Sequence, residues 1–212
     1  MIIQVHAKGK GEYFLRSWEG YKLGFGTIQD KNYWMGLEQM HNITGSDLYG
    51  LELRLKQNDD QVKVLKWSRF RVKNENEKYK LYVTGFQAGN SGLSDRFSYH
   101  NGRQFSTIDR DNDSWGNHCA GSRGHGKGSG WWYNSCYYLR LNYLDCPSYH
   151  SKCYEESTMI VKRYFYSAIL IFINKMNISI YHLLMTRLFI YFQERIVLKD
   201  LLGRMILELY HP

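Results

Sequence analysis

Asp109, Asp111 and Asp113 place three carboxylates within five residues, with Asn112 and Asn117 close by. Carboxylates so near one another repel unless a cation joins them, and oxygen-only donors select a hard ion such as Ca2+ over transition metals. The EF-hand pattern is not met. With Asp109 as position one, Ser114 stands where the turn glycine belongs and Ala120 where the bidentate glutamate belongs. On these residues alone the segment is either a calcium loop of another kind or a solvated acidic turn. Cys119 and Cys136 follow, and a bridge between them would stabilise the fold by about 3 kcal/mol through loop closure. Zinc is the rival use of Cys119, since His118 and His125 are near, but no Cys-x2–4-Cys pair accompanies them. Gly121–Gly128 (GSRGHGKG) nearly matches a phosphate-binding loop, yet no apolar strand precedes it and no helical segment follows, so it is a chance match. No Ser-His-Asp or paired-carboxylate arrangement stands out, and no enzyme is expected. Asn42-Ile43-Thr44 is an N-glycosylation sequon, expected in a surface turn over His41–Ser46.

These residues need a frame to hold them. The chain has 212 residues with 16% aromatic residues and 19 glycines, a balance that favours sheet and ordered loops over a helical bundle. Trp18–Gly26 reads as a short helix stopped by Gly24 and Gly26. Tyr33–Met35 is a short apolar edge. Leu51, Leu53 and Leu55 alternate with Glu52 and Arg54 in a half-buried strand, and Val62–Val72 and Tyr79–Thr84 read as two more. Polar turns at Asn58–Asp60 and Asn74–Lys78 make them an antiparallel meander. Asn101-Gly102 signals a tight turn. From Asp109 onward regular patterning fades for some 28 residues, and a loop of that length needs something other than backbone ladders to order it.

The net charge is +8, and residues 1–144 carry 20 Lys+Arg against 14 Asp+Glu. The densest basic run, Lys63–Lys73, is broken by apolar residues and reads as a solvated strand face, so nucleic acid is not an expected partner. Eighteen of the 19 glycines also lie in residues 1–144, which predicts a seam near Asn142–Pro147. Beyond it, Tyr164–Asn174 and Met176–Thr186 are apolar runs interrupted by Lys175, an arrangement that argues against a membrane span. The start, Met1–Phe14, lacks a secretory pattern. Taken literally it predicts a cytosolic chain with reduced thiols; the alternative is a missing N-terminal part.

Phe14–Gly26 (FLRSWEGYKLGFG), Tyr33–Glu38 (YWMGLE), Tyr99–Asn112 (YHNGRQFSTIDRDN), Asp113–Ala120, Trp131–Cys136 (WWYNSC) and Leu141-Asn142 together resemble the fibrinogen-related domain. This is the globular module of fibrinogen chains, ficolins, tenascins and angiopoietins. The resemblance spans Ile2 to Asn142. It implies an extracellular, secreted α+β domain with the fibrinogen C-terminal-like fold: an antiparallel sheet, short helices and a loop-rich calcium-binding subdomain. It also implies a Cys119–Cys136 disulfide and a structural Ca2+ on the side chains of Asp111 and Asp113 with backbone carbonyls near Trp115 and Asn117.

In the ficolin-like lectins a cis peptide before the second loop cysteine helps to form a pocket for an acetyl group. The equivalents here are Ser135, Cys136 and Tyr137, where the family usually has Asn before the cysteine and often His after it. The resemblance further implies that the family's N-terminal segment and its C-terminal closing strand are missing. The expected domains are therefore 1–144, a partial fibrinogen-like domain with a sheet-containing part (1–108) and a calcium and binding subdomain (109–144), and 145–212, an unrelated tail from intron read-through or a frameshift. The expected function is calcium-stabilised, lectin-like recognition of acetylated or other surface carbohydrates, of innate-immune or adhesion type. The alternatives are a receptor-binding ligand of angiopoietin or tenascin type, or a truncated non-functional product. The oligomeric state would depend on the missing N-terminal region.

Overall fold

The computed structural model describes residues 1–45, 49–121, 127–149 and 152–163. A six-stranded antiparallel sheet forms the frame. Its strands are β1 (Ile2–Ala7), β2 (Asn32–Trp34), β3 (Tyr49–Lys56), β4 (Val62–Val72), β5 (Leu81–Gln87) and β9 (Glu156–Arg163), in the order β2-β1-β9-β3-β4-β5. Leu51, Leu53 and Leu55 are buried in the core and Arg54 faces solvent, but Glu52, expected on the solvent face with Arg54, is buried beneath its ion pairs with Arg54 and Lys162. The leucines' partners across β4 keep the register, with Leu53 opposite Leu65 and Leu51 opposite Trp67. Tyr33 and Trp34 fall in β2, the short edge strand.

Two short helices lie between the first strands. α1 (Trp18–Leu23) is capped by the Ser17 hydroxyl, which accepts from the Gly20 amide. Gly24 ends it at φ 95°, and a Cβ there would sit 2.6 Å from the Met35 carbonyl oxygen, so only glycine fits. α2 (Leu37–Thr44) overturns the expected surface turn over His41–Ser46. Leu37, Met40 and Thr44 share its buried face at helical spacing, and that burial outweighs the weak local turn signal of Asn42-Ile43-Thr44. The Thr44 hydroxyl donates to the Met40 carbonyl at 2.7 Å and accepts from the Val72 amide at 3.0 Å, tying α2 to β4.

The seam expected near residue 144 is also corrected. β9 lies inside the sheet, pairing with β1 on one side and β3 on the other. Its Met159 and Val161 belong to the core. The chain after Asn142 therefore does supply a closing strand, and the compact unit runs Met1–Tyr164. Glycine and charge counts could not show this, because one well-placed eight-residue strand changes neither. The remaining tail, including Lys175 and its flanking apolar runs, lies outside the described residues. Among the described residues no helix is long and apolar enough to cross a membrane.

The rest of the unit is loop-rich. A small sheet of β6 (Leu139–Arg140), β7 (Ser148–Tyr149) and β8 (Lys152–Cys153) is its main ladder. Cys146 pairs with Cys153 across it. The Asn101-Gly102 turn forms, with Gly102 at φ 75°, but a 3-10 turn at Ser98–His100 leads into it rather than a strand. Trp131 and Trp132 are fully buried, and Trp132 packs against Trp34 and Phe105 while its indole N–H donates to the Tyr79 carbonyl at 2.8 Å.

Candidate binding site around the acidic loop

The three aspartates divide their work. Asp109 is structural: its carboxylate accepts from the Trp18 amide at 2.8 Å and the Thr107 hydroxyl at 2.7 Å. Burial opposes its ionisation, but these hydrogen bonds prevail and hold its carboxyl below the usual range. Asp113 closes the loop. One oxygen accepts from the Trp115 amide and the other from the Cys119 amide, both at 2.8 Å. Asp111 accepts from the Asp113 amide at 3.2 Å, so the two carboxylates share one turn. Burial, aided by the neighbouring charge of Asp111, pushes the Asp113 carboxyl up.

That crowding is what a cation relieves, and the donors are hard oxygens. Among the described residues no three His, Cys, Asp or Glu side chains gather into a metal site. A cation on Asp111 and Asp113 would need backbone oxygens as well, and Trp115 and Asn117 follow in the same turn. The donor set fits Ca2+ on those terms. Among the described residues it does not fit zinc: the His118 ring bonds the Thr107 carbonyl at 2.8 Å and Cys119 is in a disulfide, while His125 lies outside the described residues. Of the phosphate-loop match only the ends are described, and its Lys127 lies 3.6 Å from the Asp145 carboxylate.

Cys119 and Cys136 are bonded, with Cα atoms 5.7 Å apart. The bridge joins the acidic loop to the Trp131–Tyr138 segment, and the Ser114 amide reinforces it by donating to the Asn134 carbonyl at 3.2 Å. The Ser135-Cys136 peptide is cis. Ser135 is exposed, Cys136 buried and Tyr137 half-buried, so all three expected ligand-binding residues sit together at one surface step. Asn42 is exposed on α2, on a different element.

Several residues at this step were not singled out from sequence. The Tyr99 hydroxyl donates to the Ser135 carbonyl at 3.3 Å. The Arg140 guanidinium lies 3.6 Å from the Tyr137 ring centroid and 3.4 Å from that of Tyr143. The available signal was the run Tyr137-Tyr138 with Arg140 and Tyr143, three tyrosines around one arginine right after a loop cysteine. An open cleft of about 520 Å3 lies elsewhere, at the end of β1, β3 and β9. Its Lys8, Lys31 and Lys56 already pair with Glu155, Glu156 and Asp60, so its charge is internally satisfied.

A family model for the fibrinogen beta and gamma chains, C-terminal globular domain, matches residues 1–180. The chain belongs to that family, and the match runs well past the seam expected near residue 144. It is 40% identical to human angiopoietin-related protein 1 over 134 residues, 63% of this chain and 26% of that protein. It is 38% identical to rat tenascin-R over 153 residues, 72% of this chain and 10% of that protein. The chain thus spans about a quarter or less of these relatives' lengths. The solved fibrinogen-like globe domain of human ANGPTL2 superposes with TM-score 0.67 at 31% identity, covering 76% of this chain and 79% of that one. Lamprey fibrin D-dimer complexed with the peptide Gly-His-Arg-Pro-amide gives TM-score 0.65 at 26% identity, covering 76% and 60%.

Proposed function

We propose that this chain is an extracellular, non-catalytic recognition module whose acidic loop binds Ca2+ and whose Ser135–Tyr137 step receives acetylated or other surface carbohydrate. The observation that carries the reading is a linkage. The Cys119–Cys136 bridge and the Ser114–Asn134 hydrogen bond make the Asp111–Asp113 turn and the Ser135 step one piece. A cation that orders the first thereby orders the second. Two disulfides among four cysteines suit an oxidising compartment. In this role Asp111 and Asp113, with the Trp115 and Asn117 carbonyls, would hold the ion, which supplies charge neutralisation and order rather than chemistry. The test is retention on N-acetylglucosamine resin with Ca2+ and with chelator. Calcium-dependent retention is expected, and no retention in either condition would refute the sugar assignment. A glycan at Asn42 belongs to the same extracellular reading and would appear as a mass increase removed by peptide-N-glycosidase.

A second reading is favoured by the relatives themselves. Likeness to angiopoietin-related protein 1 and tenascin-R supports a protein partner, a receptor or matrix component, at the same face. It predicts cell-surface binding that free N-acetylglucosamine does not compete.

A further inference from the structure

Arg110 stands between Asp109 and Asp111 in the sequence, a position from which its guanidinium could neutralise either neighbour. The fold takes it elsewhere. Its guanidinium carbon lies 4.7 Å from the Trp18 ring centroid, a cation–π distance, and its Nη1 lies 3.9 Å from Glu75 Oε1. The Glu75 carboxylate is itself fixed. It accepts from the Trp18 indole N–H at 2.8 Å through Oε1 and from Lys22 at 2.7 Å through Oε2. Trp18 is buried, and its backbone amide donates to Asp109. α1 and the 3-10 turn Glu75–Glu77 thus form a clasp that draws the Arg110 side chain out of the acidic turn. The Asp111 and Asp113 carboxylates accept backbone amides instead, from Asp113, Trp115 and Cys119.

What the clasp withholds matters to a cation. One residue from Asp111, a released arginine is long enough to reach that carboxylate and meet it with two parallel hydrogen bonds. Such a pair would occupy the oxygens that Ca2+ needs and set a positive charge beside the ion. In water, repulsion between a unit charge and a divalent ion about 7 Å apart weakens binding about tenfold. Held over the Trp18 ring, the guanidinium is stabilised without contact with Asp111 or Asp113.

We propose that Trp18 and Glu75 are positioning residues that keep Arg110 from competing with Ca2+ for Asp111 and Asp113. This rests on the calcium reading above and deepens it, because it places control of the ion's affinity on elements outside the loop.

The experiment is a double-mutant cycle on the full chain, with Ca2+ affinity read by calorimetry for Glu75→Gln, Arg110→Gln and the two together. Glu75→Gln keeps an oxygen for the Trp18 indole and removes the charge that faces Arg110. It should weaken Ca2+ binding about tenfold. Arg110→Gln added to it should restore the affinity. Arg110→Gln alone should change affinity by no more than about twofold, since the clasped charge is distant and screened. Melting temperatures in chelator, expected to be equal within error, report folding separately from ion binding. A purely structural Glu75 would lose affinity to the same extent whichever residue stands at position 110. Unchanged affinity in Glu75→Gln, a loss that Arg110→Gln does not restore, or effects that simply add would overturn the clasp and leave the calcium reading standing. No Ca2+ binding by the unsubstituted chain would overturn both.

Discussion

The six-stranded sheet and the loop-rich region between Ser98 and Tyr154 are built by different forces. In the sheet, backbone ladders and a period-two pattern do the ordering, and a leucine at every second position of β3 fixes the register. In the loop-rich region ladders are two residues long, and side chains replace them. Asp113 captures two amides, Asn142 donates to the Gly130 carbonyl at 3.1 Å, two disulfides close the chain, and the edge-to-face pair Trp131 and Trp132 fills the interior. The two regions meet at a buried polar junction. The Gln4 amide donates to the Leu141 carbonyl, Asn142 and Ser157, and the His6 ring donates from Nδ1 to the Leu141 carbonyl at 2.6 Å. The candidate site residues thus sit where side chains decide position, while the sheet supplies rigidity.

Acid offers the largest test of that division. His6 in the sheet and His100 in the loop-rich region are both buried, and burial lowers each from 6.5 to about 4, despite bonds to the Leu141 and Trp132 carbonyls. Below pH 6.5 the unfolded chain takes up protons that the folded chain refuses. Stability therefore falls as pH drops from 6.5 to about 4, by about 3 kcal/mol for each histidine, and levels off below. Urea titrations across that range check this. A single cooperative transition throughout means the polar junction holds the two regions together; separate transitions break the comparison into two independent units.

Truncating the packing comes next. Trp132→Ala should cost about 4 kcal/mol, since it empties the space between Trp34 and Phe105 and orphans the Tyr79 carbonyl. Thermal melts with and without Ca2+ would show whether the loss falls on the loop-rich region first. Cys119→Ser with Cys136→Ser should cost about 3 kcal/mol and weaken retention on the acetylated resin. Hydrogen exchange should then rise at 109–138 and stay low in β3 and β4. The smallest effect is expected at Lys56 and Asp60, an exposed pair on the sheet side. Asp60→Asn should leave the melting temperature unchanged within error, because solvent screens such contacts.

Much of the sheet was legible because its information is local. The patterns of Leu51–Leu55 and Val62–Val72 named β3 and β4 with nearly their true bounds, and Gly24 marked the end of α1. The second half of β5 was missed, since Gly85-Phe86-Gln87 breaks the alternation. α2 carries only a turn signal in the sequence because its polar residues face solvent and its apolar ones, three residues apart, are too few to stand out. β9 was missed because it lies in a stretch whose composition differs from the rest, and sheet membership depends on partners about 100 to 160 residues away in sequence.

At the candidate site, residue types and spacing along one loop brought forward Asp109, Asp111, Asp113, Cys119 and Cys136, since charge repulsion and loop closure act between neighbours in sequence. It was the family resemblance that narrowed the aspartates to Asp111 and Asp113 and implied the bridge. The sequence alone determined the meander, the irregular loop and the residues able to tie it. Tertiary structure decided the rest. It assigned Asp109 to Trp18 rather than to a cation, paired Cys146 with Cys153, and placed β9 at the centre of the sheet. It also laid Arg110 over Trp18 and beside Glu75, both far from it in sequence. Contacts between distant segments leave no periodic trace along the chain, so only the folded arrangement reveals them.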